Sequence, residues 1–336
     1  MRLMLHRNRR LPILFLLLFA PLYSQNLVPW KDPSPHTAQF ATMDDGVRLE
    51  VLDWGGSGRA VILLAGGGNT AHVFDNFAPR LKDTCHVYGI TRRGYGASTY
   101  RAADNAGERV GKDVLAVMQT LRLGKPVLVG HSIGGTELSA VANFNPGSIA
   151  GAVYLDAGYP YAFNNGKGPA MKEIMDLHGP QTPEPGESDL ASFAALQKWQ
   201  CKMDGFQMPE SELRQLWESA PNGRVGKQRE FPGSQLFMQI MTKGEKYGKI
   251  PAPVLAVFAI PHLPDAWVTR STDPAIHHAA LTYYAKLDLL VNSQIKAFEA
   301  GVPAARVVRL RGMHYIFFSN EADVLREIHS FLRSLK

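Results

Sequence analysis

Six short, predominantly apolar runs, at residues 60–65, 86–90, 126–129, 149–155, 253–259 and 306–310, constrain this chain more than any other feature. A strand buried on both faces of a parallel sheet carries no polar alternation, and runs this short suit strands better than buried helices. Between them lie segments with apolar residues at helical spacing, at 71–81, 106–121, 134–144, 275–300 and 322–335. Strands alternating with helices predict an α/β fold, a doubly wound and mostly parallel sheet with helices on both faces. Residues 47–52 add an antiparallel edge strand at the start.

The rhythm breaks between residues 158 and 248. No clear strand is expected there, but 170–177, 189–202, 210–217 and 234–242 each carry apolar residues at helical spacing. The chain therefore divides into a core of residues 40–157 and 249–336 and an inserted helical lid, 158–248. Pro29, Pro33 and Pro35 make the approach to the core extended, and the Pro-rich 179–186 is a loop.

Within this frame, Gly130-His131-Ser132-Ile133-Gly134 follows the third apolar run and precedes a small-residue helix start. The pattern Gly-x-Ser-x-Gly at that place suits a sharp strand-to-helix turn that lifts the serine hydroxyl clear of the sheet. Glycines four apart also occur where two helices pack closely, so the pattern acquires meaning only from its neighbours.

The ends of the chain carry a different message. Arg2, Arg7, Arg9 and Arg10 precede an apolar stretch at 11–23, which is shorter than the roughly 17 residues a spanning helix needs. That order predicts a signal peptide, residues 1–24, and an exported protein, periplasmic or secreted; retention of the segment as an N-terminal anchor is the alternative. Removing it lowers the formal charge from +6 to +2, leaving no basic stripe for nucleic acid and no stable membrane insertion of the mature chain. Cys85 and Cys201 are candidates for a disulfide in an oxidising compartment, or for free thiols, Cys85 opening a core strand.

Taken together, Val127-Leu128-Val129-Gly130-His131-Ser132-Ile133-Gly134-Gly135, Leu64-Ala65-Gly66-Gly67-Gly68, Arg92-Arg93-Gly94-Tyr95-Gly96-Ala97-Ser98 and Gly312-Met313-His314 resemble the α/β-hydrolase superfamily, in its lid-bearing, esterase-like branch. The resemblance runs from about Val47 to the C-terminus. It implies Ser132 as nucleophile and His314, which follows the last strand, as its base. It implies an acid from the loop after the seventh strand, where Asp265 lies; Asp156, at the end of the sixth strand, is the second candidate, and Asp273 the third. The backbone N–H groups of Ile133 and Gly67, with Gly68 beside it, are implied as the oxyanion hole. The family's common His-Gly is Ala65-Gly66 here, a departure that removes a supporting hydrogen bond but no backbone donor. His131 is expected to pack beside the serine.

The expected activity is hydrolysis of a small or medium carboxylic ester through an acyl-enzyme. Lactone, amide or C–C bond hydrolysis and acyl transfer are alternatives on the same frame, and a non-catalytic binding or receptor protein is the alternative of another class. Serine at the elbow argues against the branches that carry aspartate there. No cofactor and no metal are expected: metal-ligand spacings are not evident, and Gly66-Gly67-Gly68 lacks the Lys-Ser/Thr of a phosphate-binding loop.

Overall fold

A computed structural model describes residues 30–243 and 247–335; the leader expected at 1–24 lies outside the described residues. Asp32–Lys336 forms one compact unit. Its strands are β1 (Thr37–Thr42), β2 (Arg48–Gly56), β3 (Arg59–Leu64), β4 (Cys85–Ile90), β5 (Val127–His131), β6 (Gly151–Leu155), β7 (Trp217–Ser219), β8 (Val225–Gln228), β9 (Val254–His262) and β10 (Arg306–Gly312). Its helices are α1 (Ala106–Thr120), α2 (Gly134–Phe144), α3 (Met171–Met175), α4 (Phe193–Asp204), α5 (Glu210–Leu216), α6 (Ser234–Lys243), α7 (Ala266–Arg270), α8 (Pro274–Gly301), α9 (Ile316–Ser319) and α10 (Glu321–Ser334).

Eight strands form one sheet in the order β1-β2-β4-β3-β5-β6-β9-β10. The pairs β1–β2 and β2–β4 are antiparallel, and the remaining five are parallel. All six apolar runs fall on parallel strands. β5 and β6 are buried at every position, as the absence of alternation requires. One core fills the face covered by α1, α2 and α8, and a second fills the face covered by α10 and the turns after β3.

Three expectations need correction. The strand expected at 47–52 is antiparallel but lies one place in from the edge, because β1, with five of its six residues exposed, pairs outside it. Segment 71–81 forms two short 3-10 turns, Ala71–Phe74 and Ala78–Leu81, rather than one helix; Pro79 at the start of the second carries no N–H to continue a ladder. The inserted segment contains a two-stranded hairpin, β7–β8, besides its helices α3–α6.

Cys85 and Cys201 are both free thiols, the former buried. Among the described residues no helix is long and apolar enough to cross a membrane.

Candidate active site

Ser132 occupies the turn between β5 and α2 with φ of 50°, a left-handed backbone that only a closely fitted turn holds for a side-chain-bearing residue. Its N–H donates to the Leu155 carbonyl at 3.2 Å, and its carbonyl accepts from Gly135 at 2.9 Å. The glycines around it are steric necessities. A Cβ on Gly134 would stand 2.7 Å from the Leu64 carbonyl oxygen, and one on Gly135 would stand 2.2 Å from that of Ala157. Their absence lets α2 begin directly on the ends of the strands, with the serine above them.

His314 follows β10 and faces β6. Its Nδ1 stands 2.6 Å from Asp156 Oδ2. Asp156 is fully buried, also at positive φ (46°), and accepts from the Tyr159 hydroxyl and from the Ala259 N–H at 3.0 Å. Burial works against its charge, yet the His314 hydrogen bond and the charges of His314 and His262 hold its carboxyl below the usual value. An ionised Asp156 therefore receives the Nδ1–H of His314, leaving Nε2 as the free acceptor. His131, in the elbow, donates from Nε2 to the His314 carbonyl at 3.0 Å and so fixes that backbone; burial and the nearby His314 charge push its pKa down to about 3.

The expectation that Asp265 orients the histidine is corrected by this geometry. β9 runs on through His262, so Asp265 arrives at the start of α7. The residue that approaches Asp156 from β9 is His262, 3.9 Å away and tied to Asp288 at 2.6 Å. Asp265 instead lines the cavity near Asp204, and burial followed by repulsion from Asp204 raises its pKa to about 6. Asp273 caps α8 by accepting from Ala275.

Opposite the serine, residues 66–70 form a tightly braced loop. A Cβ on Gly66 would lie 3.3 Å from Ser132 Cβ, and one on Gly67 would meet the Phe237 ring at 2.4 Å. Gly68 has φ of +78° and open space beside it. Among the described residues no hydrogen bond is made by the N–H of Gly67 or of Ile133. The support that Ala65 fails to provide comes from Arg92, which donates to the Ala65 carbonyl at 2.7 Å and to that of Gly66 at 3.3 Å. Arg92 is itself clamped by two 2.9 Å bonds to Glu137 of α2. From the inserted segment, Glu212 of α5 accepts from Asn69 Nδ2 at 2.9 Å, from the Thr70 N–H at 3.0 Å and from the Thr70 hydroxyl. The Tyr315 hydroxyl donates to Asn69 Oδ1 at 2.7 Å.

Ser132 and His314 open on one cavity of about 420 Å³, within the usual range for small-molecule sites. Met171, Ile174, Phe206, Met241 and Leu287 give it apolar walls, and Asp204 and Asp265 supply two carboxyls. Tyr159 and Tyr161 also line it. Tyr161 shares this lining with Ser132, a neighbourhood the sequence offered no means of finding, since the tyrosine lies in irregular chain after β6. A larger open cleft of about 1250 Å³ lies at the opposite strand ends, against Arg59, Lys125 and Arg306, and includes neither Ser132 nor His314.

This is the sheet and elbow of an α/β hydrolase. Residues 61–327 match the alpha/beta hydrolase family, and the chain belongs to it. It is 31% identical over 109 residues to an esterase (Rv0045c) of Mycobacterium tuberculosis, covering 32% of this chain and 36% of that protein. It is 31% identical over 144 residues to a bifunctional esterase/perhydrolase of Acinetobacter calcoaceticus, covering 41% and 51%, and 33% identical over 121 residues to a non-heme chloroperoxidase of Streptomyces lividans, covering 34% and 43%. The matched region thus spans between about a third and a half of these curated relatives. Among solved structures it resembles E-2-(acetamidomethylene)succinate hydrolase (TM-score 0.57, 18% identity, 89% of this chain and all of that one). It also resembles the esterase RhEst1 of Rhodococcus sp. ECU1013 (TM-score 0.54, 17% identity, 89% and 99%).

Burial, opposed by the bonds from Thr70 and Asn69, raises the pKa of Glu212 from 4.5 to about 7. Between these values the folded chain keeps a proton that the unfolded chain releases, so stability falls as pH rises from 4.5 to 7 and levels off above. Glu212→Gln removes this dependence. In urea unfolding at a series of pH values, the variant is expected to gain on the native chain by on the order of 3 kcal/mol across that window. A pH-independent difference would contradict the assignment.

Proposed function

We propose that the protein is a serine hydrolase that cleaves a small or medium carboxylic ester, with Ser132 as nucleophile, His314 as base and Asp156 as the orienting acid. The observation that carries this reading is the 2.6 Å bond between His314 Nδ1 and buried Asp156, on a histidine that shares its cavity with a serine held at positive φ. A serine hydroxyl needs a base to be nucleophilic, and the base needs a fixed tautomer. His314 Nε2 takes the proton as Ser132 Oγ attacks the carbonyl carbon. The oxyanion is held by the N–H groups of Gly67 and Ile133, with Gly68 keeping the loop open beside them. Collapse expels the alcohol, protonated by His314, and water activated by the same imidazole hydrolyses the acyl-enzyme. The N–H groups are backbone groups, so a loop held by Arg92 and Glu212 is the support they need. Residues 158–248 act as the lid, their Met171, Ile174, Phe206 and Met241 closing the cavity. The basic, apolar leader directs the chain to export.

The test is intact-mass measurement after a serine-directed phosphonate, alongside hydrolysis of chromogenic esters. One adduct per chain is expected, absent in Ser132→Ala. Asp156→Asn is expected to lower kcat/KM by about 10⁴-fold, because a neutral amide neither fixes the imidazole tautomer nor offsets the imidazolium, whereas Asp265→Asn stays within about tenfold of the native enzyme. No labelling of folded protein would move the reading to a ligand-binding protein on a hydrolase frame.

Asp204 and Asp265 give the cavity a polarity that substrates must meet. Asp265 is charged above about pH 6 and neutral below it. Esters with an anionic acyl chain are expected to show at least about tenfold lower kcat/KM than neutral esters of equal length at pH 8, the gap narrowing as pH falls through 6 and in Asp265→Asn. A pH-independent gap, or none, would exclude these carboxyls from substrate selection.

A further inference from the structure

Away from the cavity, four ionisable side chains from two separate parts of the chain converge. Asp32 and His36 come from the extended segment before β1, and His72 and Asp75 from the 3-10 turn after the Gly66–Thr70 loop. We propose that Asp32, His36, His72 and Asp75 form a binding site for one divalent ion of the zinc class.

One donor atom from each of the four lies within 4.8 Å of all the others. Asp32 Oδ2 stands 3.5 Å from His72 Nδ1 and 3.7 Å from His36 Nε2, and His72 Nδ1 stands 3.2 Å from Asp75 Oδ2. With zinc–ligand bonds of about 2.0–2.1 Å, neighbouring ligands of a tetrahedral ion lie about 3.3 Å apart. Those three separations bracket that edge, and the remaining pairs lie within 4.8 Å. Two imidazoles and two carboxylates suit zinc and its neighbours, whereas magnesium and calcium take oxygen ligands.

The surroundings have the form of an outer shell. His72 points its other nitrogen at Glu50 Oε1, 3.7 Å away, and Glu50 in turn accepts from the Thr91 hydroxyl at 2.8 Å. Asp75 accepts from Trp54 Nε1 at 3.0 Å and from the Ser211 hydroxyl at 2.5 Å. A carboxylate behind a ligating imidazole fixes its tautomer, and donors behind a ligating carboxylate fix its rotamer. The side chains of His36, His72 and Asp75 are each at most 6% exposed, while Asp32 at 25% leaves an entry from solvent. Charge argues the same way. Among the described residues the ion pairs of Asp32, Asp75 and Glu50 are with these two imidazoles, so neutral imidazoles would leave three clustered carboxylates that a divalent cation offsets.

The competing arrangement is a hub in which protons on the imidazoles do the same work, His36 Nδ1 bonding Asp75 Oδ1 at 2.8 Å. The two differ in what they bind. The ligands form two pairs, Asp-x-x-x-His and His-x-x-Asp, distant in the chain and on neither a regular helix nor a hairpin, so they present no metal-binding spacing in the sequence. An ion there would fasten the segment at 32–36 to the turn that follows the Gly66–Thr70 loop, and through Ser211 to α5 of the inserted segment.

The experiment is titration of chelator-treated full chain with Zn²⁺ by calorimetry, with thermal melts and with Co²⁺ as a spectroscopic substitute. One equivalent of Zn²⁺ is expected, with a raised melting temperature and the intense visible Co²⁺ bands of four-coordinate geometry. Asp32→Asn and His36→Gln are each expected to weaken Zn²⁺ by about 100-fold or more. Asp32 is the partly exposed ligand, so its variant keeps the test valid if His36→Gln fails to fold. Absence of stoichiometric binding, or binding that Asp32→Asn leaves unchanged, would overturn the proposal and leave the proton-held hub.

Discussion

The bond between His314 and Asp156 depends on how the sheet is ordered. β6 and β10 are separated in sequence by the whole inserted segment and by α8, yet only β9 stands between them in the sheet. That order delivers a carboxylate from the end of β6 and an imidazole from beyond β10 to one point, while the elbow after β5 brings Ser132 to the same cavity. Both Ser132 and Asp156 sit at positive φ, so two of the three residues occupy backbone that most side chains avoid. Buried strands on either side hold that strain in place.

Around this point the protein spends buried charge on holding a loop still. The side chains of Arg92 and Glu137 are each 5% exposed, and the arginine's remaining donors go to the Ala65 and Gly66 carbonyls. Breaking such a pair by removing one partner costs on the order of 3–5 kcal/mol, because the other charge is stranded. Glu212 braces the same loop from the other side, and it belongs to the inserted segment. The loop that faces Ser132 is therefore tied both to the core helix α2 and to the inserted segment.

Much of this was legible from the residues. Predominantly apolar runs locate all six parallel strands; burial on both faces erases alternation in β5 and β6, while β4 and β10 are only partly buried. The glycines around Ser132 announce the elbow, because only they permit α2 to start against the strand ends. What stayed hidden depended on distance in three dimensions. β1 is too exposed to show a pattern, and β7–β8 are too short. Asp265 lies in the loop from which the family supplies its acid, yet β9 runs three residues beyond the apolar run at 253–259, and His262 takes the place beside Asp156. Tyr161 and Glu212 carry no local signature, and Arg92, although part of a family motif, shows its role only once the loop after β3 and α2 are assembled around it. The Asp32–His36 and His72–Asp75 pairs were missed for the same reason.

Asp156, and not Asp265, meets the imidazole of His314. Proton NMR of the folded enzyme reads that bond without reference to any substrate, since an imidazole N–H in a short bond to a buried carboxylate is strongly deshielded. Such a resonance is expected, lost in His314→Ala and Asp156→Asn and retained in Asp265→Asn. A resonance that survives Asp156→Asn and disappears in Asp265→Asn would contradict that pairing.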